Sequence, residues 1–368
     1  MNSHAVRKYF EFGALCLLAA AILWWFGRKL DWGQVRQSVS HSNPYLLTAA
    51  VLLISLVYLL RALRWGALLR PLVTSRGTDL FAATAIGFAA VFLIGRAGEV
   101  VRPVVLPMRD GRVKTSAALV TIMVERIYDM MAVVLMFAIN LIWFTPPSTI
   151  TKEFSRVRLA GFVLLIMGIA GVLALTWFRR QSGRFIPALD GFLHRYRLLP
   201  QRFLKLLIGT LEQLARALRV LVDARELAVT IGWTAAVWAV ITLANLLVIR
   251  AFGIPFGVTE TIFVLGWALV GSLVPTPGGA AGAFHAATAA GLIFLGVARE
   301  MAAGMAIVMH LIDFGPAVLF GLFYFVRGDL NVSRLRRLAS TENVEHIVED
   351  EALVPQNGVA GKGPARGD

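Results

Sequence analysis

The chain has 368 residues, of which 58% are hydrophobic and 16% are charged, whereas soluble domains average about 45–50% and about 25%. This composition excludes an ordinary soluble globular protein. The formal net charge of +14 would indicate nucleic-acid binding in a soluble protein. Here the basic residues lie between long apolar blocks, as in cytoplasmic loops that face anionic lipid, so no nucleic-acid partner is expected.

The apolar blocks have the length of membrane-crossing helices, roughly 17–25 residues. Arg7 and Lys8 precede the first block as in a signal peptide, but no small-residue cleavage site follows, so we expect a retained helix. The blocks predict an all-α transmembrane helix bundle of about eight spans. The predicted spans are 10–27, 45–63, 117–144, 159–178, 227–251, 259–275, 281–298 and 302–326.

Basic loops set the predicted topology. The arginine-rich segment 179–225 is placed in the cytoplasm, and counting from it places both termini and the stretch from Arg61 to Arg76 there as well, in the plasma (inner) membrane. The basic stretch 96–116 then falls on the wrong side unless 80–95 enters the membrane and returns. We therefore predict a re-entrant segment at 80–95, whose broken backbone must be buried in protein or line a cavity.

Two further segments complete the predicted organisation. From Arg202 to Val222, leucines follow one helix face and basic residues the other, which favours an interfacial amphipathic helix at about 201–222 on the cytoplasmic leaflet over a soluble linker helix. From Ala339 onward the sequence is acidic and then rich in Gly and Pro. We predict one transmembrane domain at 1–338 and a disordered cytoplasmic tail at 339–368.

Ionisable side chains inside apolar blocks are costly, so each is a functional hypothesis. The first cluster is the turn from Gly95 to Pro103, where Arg96 and Arg102 could bind phosphate through planar guanidinium groups and Glu99 could hold one of them by an ion pair. An ordinary cytoplasmic turn with an incidental ion pair is the alternative.

The second cluster lies inside span 117–144. Glu125 and Asp129 are four residues apart on one helix face, with Arg126 beside them. A substrate or proton site and a structural ion pair between helices both fit this pattern.

A Pro-Thr-Pro-Gly-Gly break interrupts the second half of the chain, as 95–103 interrupts the first. Interrupted segments in both halves indicate a transport site near the membrane midplane, although a plain tight loop would look the same. The candidate residues of this third cluster are Pro275, Pro277, Gly278, Gly279 and His285.

His310 and Asp313 form the fourth cluster, three residues apart in the last span. They share a helix face, so the aspartate could hold the imidazole proton for proton coupling, whereas a pair that only packs two helices is the alternative. We predict that the charged clusters and the Pro-Gly-Gly break meet at one water-accessible cavity, because three ionisable residues in one turn need partners or water.

Four motifs, in order across residues 60–325, resemble the flippase-like membrane family that includes the transmembrane region of lysylphosphatidylglycerol synthase. The resemblance implies a polytopic protein that moves or binds a lipid or a lipid-linked head group. The matching pieces are Arg61-Ala62-Leu63-Arg64-Trp65, the RxGExxR pattern from Arg96 to Arg102, Glu125-Arg126 with Asp129, and Pro275 to Gly279.

The chain departs from the family pattern in two places. Phe284-His285 stands where the family usually has a glutamate after Pro-Gly-Gly. The stretch after Val326 is too short for the soluble aminoacyltransferase domain of the full synthase, so we do not expect lysyl transfer. Independently of this length, we expect that the protein is not an enzyme.

The leading hypothesis is transport of an anionic lipid or a lipid-linked phosphate, with membrane lipids as partners. The arginines expected to meet phosphate are Arg96, Arg102 and Arg126, and the acids expected to hold them are Glu99, Glu125 and Asp129.

Two alternatives come from other classes. One is a membrane enzyme of lipid-phosphate chemistry, with His285 or His310 as nucleophile or base beside Asp313, against which the sequence offers no dense His, Arg and Ser set and no loop of acids for Mg²⁺. The other is a non-transporting scaffold of envelope synthesis. No cofactor or metal is expected, and the single cysteine, Cys16, excludes an internal disulfide.

Overall fold

The computed structural model describes residues 17, 21–70, 72–144, 151–196, 208, 224–274, 276 and 278–327. Within these ranges the regular structure is helical, without strands, which confirms the all-α prediction. The helices are α1 (Trp32–Ser40), α2 (Pro44–Leu69), α3 (Gly77–Ile94), a 3₁₀-helix (Gly95–Val100), α4 (Val101–Arg109), α5 (Thr115–Trp143), α6 (Thr151–Tyr196), α7 (Ala224–Ala251), α8 (Val258–Ser272), α9 (Ala281–Phe294) and α10 (Arg299–Arg327). A further helical piece covers 21–27.

Several predicted segments fall wholly or mainly outside the described residues. They are most of the span at 10–27, the amphipathic helix at about 201–222 and the tail at 339–368.

Helices of membrane-crossing length and composition are α2, α3, α10 and Ala228–Ala251 of α7. On α2, Ile54, Val57 and Trp65 are buried, whereas a row of leucines one helical turn apart is turned outward. An exposed leucine stripe of this length suits contact with lipid tails. The outward leucines are Leu52, Leu56, Leu59 and Leu63.

Three predicted spans differ in length from the helices observed. The spans predicted at 259–275 and 281–298 correspond to α8 and α9, which have 15 and 14 residues and are about 21–22 Å long. They fall short of the roughly 30 Å of the hydrocarbon core. The span at 159–178 lies within α6, which continues to Tyr196.

The first helical hairpin consists of α3, the 3₁₀-helix and α4. Helix α4 runs back along α3, and Arg109 Nε near its end lies 3.1 Å from Asp79 Oδ1 near the start of α3. The Arg109 guanidinium also lies 5.9 Å from the ring of Tyr324, near the end of α10. The chain therefore returns to the side it entered from, which confirms the fold-back predicted for 80–95.

The base of this hairpin is closed by the turn after α4. Ser75 Oγ donates a hydrogen bond of 2.9 Å to Asp110 Oδ2, and Arg112 Nη2 donates one of 2.9 Å to the same oxygen. The side-chain hydrogen bonds from Arg112 hold the pKa of Asp110 well below its usual range.

The second hairpin consists of α8 and α9. The rings of Phe263 and Phe294, far from the tip, are 5.3 Å apart. Near the tip, a Cβ on Gly271 would lie 2.5 Å from the carbonyl oxygen of Ala283, so only glycine allows this approach. Both α8 and α9 are therefore legs of an antiparallel pair that returns to its starting side.

Hydrogen bonds between distant segments define the two ends of the bundle. Asn43 N donates to Ala251 O at 2.8 Å, and Asn140 Nδ2 donates to Thr259 O at 2.9 Å. The starts of α2 and α8 and the ends of α5 and α7 therefore lie together, at what we call the Asn43 end. The first hairpin enters from the opposite end, which we call the Arg327 end.

The two hairpins meet inside the bundle. Gly279 N, in the loop between α8 and α9, donates a hydrogen bond of 3.0 Å to Phe92 O near the end of α3. This bond gives a backbone N–H of the second tip a partner in the last turn of α3. The structure thus brings together the chain breaks predicted in the two halves.

We predict that cysteines placed at Thr78 and Gly111, in a background without Cys16, are labelled by an impermeant maleimide from the same side of the membrane. A cysteine at Tyr45, at the Asn43 end, should be labelled only from the other side. Labelling of intact and permeabilised cells measures this, and labelling of positions 78 and 111 from opposite sides would contradict the hairpin.

We predict that Gly98→Ala lowers stability, because a Cβ there would lie 2.3 Å from the backbone carbon of Ala90 in α3. Overpacking of this kind costs about 1–3 kcal/mol. Gly111→Ala is the control, since nothing lies within 4 Å of its added Cβ. Thermal unfolding in detergent measures both, and equal midpoints would contradict a tightly packed hairpin.

Candidate functional site

A buried ion network joins α2, α4 and α5. Arg102 Nη1 donates a hydrogen bond of 2.8 Å to Glu125 Oε1, and Arg64 Nη2 lies 3.1 Å from the same oxygen. Arg64 also binds Asp129 with both terminal nitrogens, at 2.6 and 2.9 Å. The predicted approach of Arg102 to Glu125 is confirmed, and each carboxylate of the pair is held by at least one two-pronged guanidinium contact.

Helical spacing arranges this network. Glu125 and Asp129 are four residues apart on α5, so one arginine on the facing helix can reach both. Arg64, Arg102 and Glu125 are almost fully buried, and Asp129 is 7% exposed. Opposite charges this close in a low-dielectric core offset each other's desolvation, while the loss of one partner would leave a buried charge unpaired.

Aromatic rings line the arginines. The Arg102 guanidinium lies 4.6 Å from the ring of Trp65, and those of Arg61, Arg102 and Arg126 lie 4.6, 5.4 and 5.8 Å from the ring of Phe88. The negative faces of aromatic rings attract cations. Phe88 therefore helps three guanidinium groups to share a small space.

A more exposed ion pair borders the network. Arg126 Nε lies 3.8 Å from Glu99 Oε2, with the two side chains 31% and 40% exposed. We expected Glu99 to hold Arg96 or Arg102 of its own turn. Its ion pair among the described residues is instead with Arg126 of α5, while Arg102 pairs with Glu125. The backbone of Arg96 lies in the 3₁₀-helix, and its side chain is outside the described part of the structure.

A cavity of about 150 Å³ adjoins Arg61 and Phe88. Its volume corresponds to about five water molecules. Arg61 and Trp238 both line the cavity. The Nε of Arg61 and the indole Nε1 of Trp238 have no hydrogen-bond partner among the described residues. Asp313 and Tyr58 also line it, and Tyr58 donates a hydrogen bond of 2.7 Å to the Asp313 carbonyl oxygen. The cavity thus combines apolar walls with unused donors.

The histidines lie at the meeting point of the hairpin tips. His310 Nε2 is 3.2 Å from Gly279 O, and the rings of His285 and His310 are 4.8 Å apart. Asp313 instead lies against Asn245 and the cavity. The predicted pairing of His310 with Asp313 is therefore wrong, because the imidazole turns toward the second hairpin while the carboxyl faces α2 and α7.

The predicted clusters converge in part, but they do not form the shared cavity that was predicted. Among the predicted site residues that the structure describes, only Asp313 lines the cavity beside Arg61. Glu99, Arg102, Glu125, Arg126 and Asp129 form one continuous ionic region, and Gly279 reaches the tip of the first hairpin. Pro275 and Pro277 lie outside the described residues, whereas Gly278 and Gly279 form the tip turn with positive φ.

Arg61, Arg64 and Phe88 are not among the site residues predicted from the sequence. Arg61 and Arg64 were assigned to a cytoplasmic stretch, but α2 continues to Leu69 and holds Arg64 fully buried. The apolar residues that follow Arg64 were the available signal, since a helix that ended there would not need them. Phe88 carried no signal beyond its place in an apolar block.

A family model described as "Lysylphosphatidylglycerol synthase TM region" matches residues 14–321 of the chain. The match includes every helix of the ionic region, both hairpins and the cavity. No curated protein sequence matches the chain.

We predict that Glu125→Gln strongly destabilises the protein, because it leaves Arg64 and Arg102 with a single carboxylate, Asp129. Breaking a buried ion pair in this way costs about 3–5 kcal/mol. Glu99→Gln, in the exposed pair, should cost about 1 kcal/mol or less. Thermal unfolding in one detergent compares them, and a loss at Glu99 as large as that at Glu125 would contradict the structural role of the buried network.

Proposed function

The chain belongs to the family of the lysylphosphatidylglycerol synthase transmembrane region, and from this premise we propose that it binds and translocates an anionic lipid or a lipid-linked phosphate. Family membership and the membrane-length helices make it an integral membrane protein related to lipid synthesis. We place it in the plasma (inner) membrane with both termini and the Arg327 end in the cytoplasm, in accordance with the basic loops.

The observation that carries the proposal is Arg61 beside the cavity. Arg64, Arg102 and Arg126 each have a carboxylate within 4 Å, whereas the ion pairs of the described residues include none of Arg61. Its Nε has no hydrogen-bond partner among the described residues, which is also true of the Nε atoms of Arg64, Arg102 and Arg126. The missing ion pair and the place beside the cavity are therefore what set Arg61 apart. A cation of this kind in a membrane core favours an anionic ligand.

The arginines therefore divide into two groups in the proposal. Arg64 and Arg102 use their terminal nitrogens on carboxylates and hold the helices together. The proposal assigns the phosphate to Arg61, which lines the cavity, and to Arg126, whose contact with the partly exposed Glu99 is long at 3.8 Å. A phosphate group with a few waters suits a volume of 150 Å³, while the acyl chains would stay in the bilayer.

The hairpin tips give the proposed path a barrier. The first hairpin enters from the Arg327 end and the second from the Asn43 end, and they meet at the bond between Gly279 and Phe92. A head group that crosses the bundle here must pass this contact, so separation of the tips is the proposed moving step.

We propose transport without chemical change, in preference to catalysis. The enzyme alternative placed Asp313 beside a histidine, whereas His310 Nε2 lies 3.2 Å from the Gly279 backbone carbonyl and the described ion pairs include no pair of His310 with Asp313. The Arg61 cavity is lined by neither histidine. Our proposal therefore assigns the histidines to the packing of the tips.

We predict that the purified full chain, reconstituted in vesicles, moves a fluorescent phosphatidylglycerol between leaflets and returns it chemically unchanged. Dithionite quenching measures movement, and chromatography of the recovered lipid measures change. Chemical conversion would support the enzyme alternative, and neither movement nor conversion would support a scaffold; either result would contradict our proposal.

We predict that Arg61→Lys and Arg126→Lys lower the transport rate by about tenfold, because lysine keeps the charge but loses the planar fork that binds phosphate. Arg102→Lys should lower both rate and thermal midpoint, since it loosens the contact with Glu125. Arg70→Lys is the control, because Arg70 is exposed at the end of α2. Full activity of the Arg61 and Arg126 variants would contradict the assignment of these arginines.

A further inference from the structure

A second cavity lies at the Asn43 end, and none of its lining residues belongs to the ionic region. It has a volume of about 300 Å³ and lies between the piece 21–27, the turn after it, α9 and the first residue of α10. We call it the basic groove. Its lining residues are Trp25, Phe26, Arg28, Lys29, Ala286, Ala289, Ala290, Ile293 and Arg299.

The groove is a fixed part of the fold. Phe26 packs against Leu30, Val35 and Ala303, so the lip of the groove is anchored on α1 and α10. The Phe26 ring also lies 6.3 Å from that of His285 on α9. Its two walls are therefore held in place by the same core that holds the bundle.

The chemistry of the groove is amphipathic. Small residues of α9 and Ile293 form an apolar floor, and Trp25 stands at its side. Arg28, Lys29 and Arg299 are exposed at the rim. A cationic rim, an apolar floor and a tryptophan are the features with which proteins contact the boundary between head groups and acyl chains.

No carboxylate neutralises this rim among the described residues. No acidic residue lines the groove, and the ion pairs found there include none of Arg28, Lys29 or Arg299. The nearby Asp31 accepts hydrogen bonds from Gly33 N and Gln34 N and so caps α1. The three cations therefore keep their capacity for an anionic ligand.

The basic rim lies at the end of the bundle where few basic residues are expected. Arg299 begins α10 and Arg327 ends it, so the rim lies at the end opposite the one expected in the cytoplasm. Basic residues are otherwise concentrated on the cytoplasmic side of membrane proteins. A cluster on the far side needs another cause, and an anionic lipid in that leaflet supplies one.

We propose that the basic groove binds an anionic phospholipid of the surrounding bilayer, with the phosphate at Arg28, Lys29 and Arg299 and one acyl chain on the floor of α9. The volume of 300 Å³ lies at the lower limit of small-ligand pockets, about 300–1,000 Å³. This site is separate from the proposed transport site. The argument from its side of the membrane rests on the topology of the proposed function, whereas a binding measurement tests the groove independently of transport.

Native mass spectrometry of the full chain in detergent, titrated with phosphatidylglycerol or phosphatidylcholine, tests the site by binding and not by movement. The wild type should retain phosphatidylglycerol in preference to phosphatidylcholine. Arg299→Gln should weaken retention of phosphatidylglycerol by about fivefold, as expected for one basic residue at an anionic surface. Arg250→Gln is the matched control, since Arg250 is exposed in the last turn of α7 at the same end and does not line the groove.

Ala290→Trp tests the floor without changing charge. Ala290 is exposed on α9, so a tryptophan there should fill the groove, leave the thermal midpoint unchanged and displace the bound lipid. Wild-type retention by both Arg299→Gln and Ala290→Trp would overturn the site. Equal retention of both lipids by the wild type would overturn it as well, because the rim would then have no preference for an anion.

Discussion

The contact between Glu125 and two arginines is the constraint on which the rest of the bundle depends. Glu125 lies between Arg64 of α2 and Arg102 of α4, at 3.1 and 2.8 Å, and none of the three can reach water where it lies. An unpaired charge in such a place is far more costly than the pair. The three helices must therefore approach one another at this level, whatever their other contacts.

The same need for partners explains the hairpin tips. Non-helical backbone at membrane depth is stable only where protein buries it or a cavity supplies water. The two tips bury each other's backbone and are joined by the hydrogen bond from Gly279 N to Phe92 O. His310 adds a contact to Gly279 O. Neither hairpin would satisfy its own backbone in lipid, so the two halves of the chain are folded against each other by a shared polar requirement.

The arginines that hold the helices are distinct from the arginine that lines the cavity. The network that fixes the helices holds the terminal nitrogens of Arg64 and Arg102 on carboxylates, so these groups keep their geometry whether or not a ligand is present. Arg61, on the same helix face as Arg64 and one turn away, keeps an unused donor beside a cavity. A rigid ionic core next to a partly satisfied cation is an arrangement that can bind a phosphate without rearranging the fold.

The sequence by itself determined that lipid surrounds most of the chain, that the fold is all-α and where the two chain breaks lie. Apolar blocks, the basic residues at 96–116 and the Pro-Gly-Gly run required a membrane bundle with a returning segment, because those are local properties of length, charge and backbone. Only the tertiary structure decided which acid meets which arginine. Arg64 and Asp129 are 65 positions apart, and helix periodicity fixes neighbours only within a few turns. For the same reason the sequence placed His310 near Asp313 on α10. The partner of His310 is instead Gly279, in the second hairpin.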